Sequence, residues 1–229
     1  MSLPVRGVEA GFRLLARLRR APALHPHGLM CAGEVEVPEG SGGWGAPWLE
    51  APGRFAATVR FSRAAGLPRR LPDALGLAVR VDGADGPGQA LDLLLTSSGR
   101  GRVARHLPLL RADALGGAYS SLLPYRVGGR SCVLAAFPRR AGQAPVHGDP
   151  ASLVRALAAG PLVLDLCAAE PGRPWRPFAV LTVRSALPAG PRESAGFDIY
   201  ERDARDFTPG PALAAVRRAA YRGSRAGHR

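Results

Sequence analysis

A succession of short apolar segments, each bounded by Gly, Pro or Asp turns, constrains this chain more than any other feature. GEVEV (Gly33–Val37) alternates apolar and polar residues, and FAATVRF (Phe55–Phe61) does so more loosely. LGLAVRV (Leu75–Val81) and ALDLLL (Ala90–Leu95) follow, divided by the turn-rich DGADGPG. SCVLAAF (Ser131–Phe137), LVLDLCA (Leu162–Ala168) and FAVLTVR (Phe178–Arg184) make a second group. An antiparallel sheet built from so many short strands must manage its edges, and closure removes them. The pattern therefore predicts an α+β chain built on an antiparallel barrel of roughly eight strands in two groups of four, with helices outside it.

Between the two groups, VARHLPLLRADALGGAYSSL carries apolar residues at helical spacing, cut by Pro108 and by Gly116–Gly117; it predicts a partly helical insertion. PASLVRALAAG predicts a short helix capped near Asp149 and ended by Gly160. PALAAVRRAAYRGSR predicts a last helix, over 209–226. In residues 1–20, Val5, Val8, Phe12, Leu15 and Leu18 share one helical face, and Arg crowds its C-terminal end. No shift in composition marks a boundary, so 1–229 is expected to be one domain, with the barrel over 22–200.

Composition matters for what it excludes. No apolar run approaches the ~18 residues of a membrane-spanning helix. Cys31, Cys132 and Cys167 form no CxxC pair, which argues against a structural zinc site and a disulfide scaffold and fits a reducing cytoplasm. The formal charge of +13 comes with no Lys, so all 31 basic residues are Arg. They are spread along the chain and aromatic residues are only 6%, so neither basic blocks nor a stacking platform for specific nucleic-acid binding is expected.

The chemistry-bearing residues lie in HPHGLMCAGEVEV, where His25 stands three residues before Gly28 and eight before Gly33, and in VRRAAYRGSR, where Arg217-x-x-x-Tyr221 places a guanidinium and a phenol one helical turn apart. His25 and His27 could also form a metal pair, but no third ligand is placed by spacing. The first string resembles the opening of the catalase barrel. VRFSRAAG (Val59–Gly66), DALGLAVRV (Asp73–Val81) and LDLLLTSSG (Leu91–Gly99) are similar to the next landmarks of that family, in the same order. PLVLDLCAAEPGRPWRPFAVLTVRSALP (Pro161–Pro188), ARDFTPG (Ala204–Gly210) and the R-x-x-x-Y helix complete a resemblance that runs over about residues 22–225.

The resemblance implies ferric haem ligated by Tyr221, whose phenolate Arg217 would stabilise. It implies that His25 is the acid–base group for a hydrogen peroxide or organic hydroperoxide substrate. It implies that Arg60 pairs with a haem propionate, and that Ser62 supports the histidine. The family's distal asparagine has no counterpart; counted from Asp92, its place falls on Ser97, a shorter donor, which makes Ser97 the expected catalytic partner. The aromatic residues that normally follow are replaced by Gly99, Arg100 and Gly101, and the arginine usual three residues before the histidine is Pro22. The tetramer-locking arm, wrapping segment and helical domain of large catalases have no counterpart, so a homodimer is the assembly left open. The expectation is a haem-dependent peroxidase or weak catalase; the alternative is a haem-free barrel of this fold that binds a small apolar ligand.

Overall fold

Alternation becomes pairing in the computed structural model, which describes residues 28–64, 71–140, 144–188 and 196–213. Four long strands come first: β1 (Gly28–Val37), β2 (Gly53–Arg63), β3 (Asp73–Asp82) and β4 (Ala90–Ser97). They form an antiparallel meander. After β5 (Leu110–Arg111), β6 (Tyr119–Ser120) and β7 (Tyr125–Val127) come β8 (Arg130–Pro138), the helix α1 (Pro150–Ala159), β9 (Leu162–Ala169), β10 (Arg176–Ala186) and β11 (Phe207–Pro209).

Pairing runs β1, β2, β3, β4, β6, β8, β9, β10 and back to β1, always antiparallel. This is a closed eight-stranded barrel. A barrel of that size is just wide enough to be filled by its own side chains. Val35, Val59, Leu77, Val79, Leu93, Leu134, Leu164, Leu166, Leu181 and Val183 fill it, all essentially inaccessible. Each such side chain contributes roughly 1.5–3 kcal/mol by leaving water.

The two ends of the barrel close differently. Where β1 ends and β10 begins, Trp48 packs edge-on against Phe55, Phe178 and Phe207, with centroids 5.8, 6.1 and 5.5 Å away. Trp44 adds a further contact with Phe178 at 6.0 Å. The loop before this cluster is pinned by Glu50, whose carboxylate accepts from the backbone N–H of Gly43, Trp44 and Gly45. These bonds hold the Glu50 carboxyl below its ordinary range. The opposite end, where β1 begins, is polar and is described below.

α1 forms as its sequence requires. Asp149 Oδ1 accepts from Ser152 N at 3.1 Å, Pro150 supplies the first turn, and Gly160 ends it at φ 155°. Leu153 and Leu157 turn inward, and the helix packs on β10.

The segment between the strand groups differs from its expected helical character. It holds one 3-10 turn (Ala104–His106) and the short strands β5, β6 and β7. Pro108 removes an amide donor and Gly116–Gly117 weakens any helix, so the backbone bonds instead to neighbouring strands. The helical spacing of its apolar residues reflects Ala114, Leu115 and Ala118 burying themselves against the barrel. Of the terminal helices, residues 211–213 are helical; the rest of 209–226 and all of 1–20 lie outside the described residues.

Candidate functional site

In an antiparallel pair, residues directly opposite one another lie on the same face of the sheet. The register of β1 to β4 therefore writes out the outer wall of the barrel at its polar end. One row is Met30, Arg60, Ala78 and Leu94; the next is Gly28, Ser62, Gly76 and Thr96. A third row continues onto β5, where Ala74 lies opposite Leu110, which is 64% exposed. The middle row carries only small side chains and forms a shallow strip, flanked on one side by Met30, Arg60 and Leu94 and on the other by Leu110.

Two of its glycines leave room for neighbouring side chains. A Cβ on Gly28 would lie 2.7 Å from Arg60 Nε, and one on Gly76 would lie 2.5 Å from Ser62 Oγ. The Arg60 guanidinium and the Ser62 hydroxyl can thus lie down on the sheet because those two positions carry no side chain. A strip of small residues with a guanidinium at one side and Leu94 and Leu110 beside it can receive the edge of an apolar group bearing an anion. In charge and polarity, these residues are compatible with a haem edge.

Ser97 belongs to the other face. It is fully buried, pointing into the barrel end with Tyr119 opposite it. Its Oγ donates to Leu109 O at 2.6 Å and accepts from Leu75 N at 2.9 Å. It sits in a polar plug with the buried pair Arg63 and Asp73, 3.6 Å apart, and with Arg111, whose guanidinium carbon is 4.6 Å from the Tyr119 ring centre. Tyr119 OH donates to Ala114 O, and burial pushes its phenol up to about 12. A one-residue step separates the two faces of a strand. It is Thr96, half-buried, that shares the wall with Arg60 and Ser62.

No protein-family model matches the sequence, and no curated protein matches it by sequence. Solved structures do match. Catalase A from Saccharomyces cerevisiae superposes with a TM-score of 0.63 at 13% identity, covering 89% of this chain and 61% of that one. A fungal catalase gives 0.57 at 14% identity, covering 89% and 59%, and a bacterial catalase gives 0.53 at 14%, covering 87% and 55%. The fold is the one these catalases share. The chain spans less than two thirds of the length of each of those structures.

Within this catalase-type barrel, Arg60 and Ser62 stand together on the wall, as their spacing of two along β2 implies. His25, Arg217 and Tyr221 lie outside the described residues; Gly28, three residues after His25, opens β1 at the wall's edge. Thr96, Gly76 and Leu110 were missed by sequence reasoning. The signal for Thr96 was present in the alternation of β4, where Leu91, Leu93 and Leu95 turn inward and carry Ser97 with them. Among the described residues, no group of three or more His, Cys, Asp or Glu could hold a metal ion. His106 bonds through Nδ1 to Leu122 O at 2.8 Å. All three cysteines are buried free thiols, and burial pushes Cys31 and Cys167 up to about 12 and Cys132 to about 11. No described helix is long and apolar enough to cross a membrane.

Proposed function

We propose that the wall of β1 to β4 receives ferric haem and that the protein is a haem-dependent peroxidase or weak catalase. The observation that carries this reading is the row Gly28, Ser62, Gly76 and Thr96, a strip of small residues on the outer face of the barrel, with the Arg60 side chain lying against Gly28. Tyr221 would ligate the iron as phenolate, with Arg217 one helical turn away holding the phenol in its charged form. Arg60 would hold a propionate, in the paired geometry that suits a guanidinium. Leu110 and Leu94 would cover apolar edge.

Haem, when bound, supplies an iron centre able to break the O–O bond of a peroxide. The chain's own work is then proton handling. The His25 imidazole takes one proton from the peroxide and returns it to the departing oxygen, a transfer suited to neutral pH. Ser62, on the same wall, supports that imidazole. Thr96 takes the donor role that was expected of Ser97, because its side chain faces the wall and that of Ser97 does not.

Haemin titration tests the binding step. Wild type should give a saturable Soret shift at one haem per chain, with the high-spin bands of a phenolate ligand; Tyr221→Phe should weaken uptake and remove those bands. Identical spectra and affinities for the two proteins would overturn the ligand assignment. In the loaded protein, His25→Ala should leave haem content unchanged and lower peroxide turnover by about 10²-fold or more. Equal turnover would overturn the proton-transfer role.

A further inference from the structure

A concave site lies on the outer face of the barrel, across β8, β9 and β10 and away from the β1 to β4 wall. It is a groove of about 560 Å³, within the range of small-molecule sites. Phe137 and Trp175 stand edge to face at 5.3 Å on one side, and Val180, Pro177 and Cys167 supply further apolar lining. Trp175 is fixed by its indole N–H, which donates to Arg100 O at 2.9 Å. The groove thus has rigid aromatic walls and not a set of adaptable aliphatic chains.

Its charge is one-sided. Arg139 is spent on Asp165, with both Nε and a terminal nitrogen on Oδ1 at 2.9 and 2.6 Å. The Arg100 guanidinium lies 4.7 Å over the Phe137 ring, is exposed to solvent, and meets no acidic side chain among the described residues. A cation stacked on an aromatic face leaves its N–H edge available for a second, anionic partner. Beside it, the Cys167 thiol is buried and held protonated by that burial, so no thiolate repels an anion.

We infer that this groove binds a small aromatic carboxylate, its ring against Trp175 and Val180 and its carboxylate on Arg100. The inference is independent of haem and of the β1 to β4 wall. Calorimetric titration of haem-free protein, with 2-naphthoate and its neutral isostere naphthalene-2-carboxamide as probes, tests it. Wild type should bind naphthoate saturably at one per chain, and more tightly than the carboxamide. Arg100→Gln should weaken naphthoate by about tenfold, the scale of one charge-assisted hydrogen bond, and leave the carboxamide within about twofold. Val180→Trp, which fills the groove from an outward position on β10, should abolish both, with unchanged circular dichroism showing that the barrel is intact. Absence of saturable naphthoate binding, equal affinity for acid and amide, or an unaffected Val180→Trp protein would each overturn the assignment. So would a saturated ring carboxylate binding as tightly as naphthoate, since the aromatic walls would then select nothing.

Discussion

Thr96 and Ser97 are chemically alike and adjacent, yet the fold uses them oppositely. Ser97 is consumed by the barrel end: its hydroxyl ties the start of β3 to the loop after β4 through Leu75 N and Leu109 O. Ser97→Ala removes the acceptor of the buried Leu75 N–H and the donor to the more exposed Leu109 O. The cost should be about 1–3 kcal/mol, that of the one buried group left unsatisfied. Thr96→Asn, on the half-buried wall, should change stability by no more than about 0.5 kcal/mol. Urea denaturation of the two variants measures this directly. The reverse order of destabilisation would mean that the register of β4 is displaced by one residue. The same comparison bears on the site, because only a side chain on the Thr96 face can reach a group seated on that wall.

At the scale of elements, α1 and β6 show two ways in which a short segment becomes defined. α1 is locally specified: Asp149, Pro150 and Gly160 mark its ends, and Leu153 and Leu157 its inner face. Asp149→Ala should remove the bond to Ser152 N and cost about 1 kcal/mol, as cap removal does elsewhere. A melting curve indistinguishable from wild type would show that packing on β10, and not the cap, determines the helix. β6 has no local definition at all. It is two residues long, Tyr119 and Ser120, and is a barrel stave only because β4 and β8 bond to it on either side. Ser120 adds a bond from its Oγ to Arg105 O at 2.6 Å, tying the 3-10 turn down over the stave.

On the scale of the whole molecule, the late segment of the chain is anchored to the first half of the barrel through one buried carboxylate. Asp92, inaccessible to solvent, accepts Arg80 Nε at 2.8 Å and an Arg80 terminal nitrogen at 2.9 Å, and the backbone N–H of Asp198 at 2.8 Å. Arg202 lies 3.6 Å away, and Asp92 N donates to Arg202 O. Breaking such a buried pair from one side costs about 3–5 kcal/mol, because the remaining charge loses its partner. Asp92→Asn should fall near the lower figure, about 3 kcal/mol, since Arg80 retains some exposure. It should also raise hydrogen exchange selectively at residues 198–202. Uniform exchange across the barrel would show that Asp92 supports β4 itself and not the docking of that segment. Arginine serves packing elsewhere too: Arg80, Arg100, Arg105, Arg111 and Arg176 each stack on an aromatic ring, which lets a chain without lysine place charge at the border of its core.

Some of this was legible in the residues alone. The long strands β1 to β4 and β8 to β10 follow from period-two alternation bounded by turn residues, and α1 from its caps, because these signals are local and act within a few residues of where they are written. The order of the landmarks was enough to anticipate the catalase-type barrel. Arg60 and Ser62 could be paired from sequence because they are two apart on one strand. What only the tertiary structure decided is non-local. The eighth stave exists through partners some twenty residues away in sequence on one side and fifteen on the other. The choice between Thr96 and Ser97 rests on which face of β4 turns inward, and counting from Asp92 does not carry that information. The outer wall around Arg60 assembles from four strands whose members are far apart in the chain, and the groove around Trp175 needs β8, β9 and β10 side by side. Short-range propensity can specify a strand; closure of the barrel, through cross-strand register, decides what each strand faces.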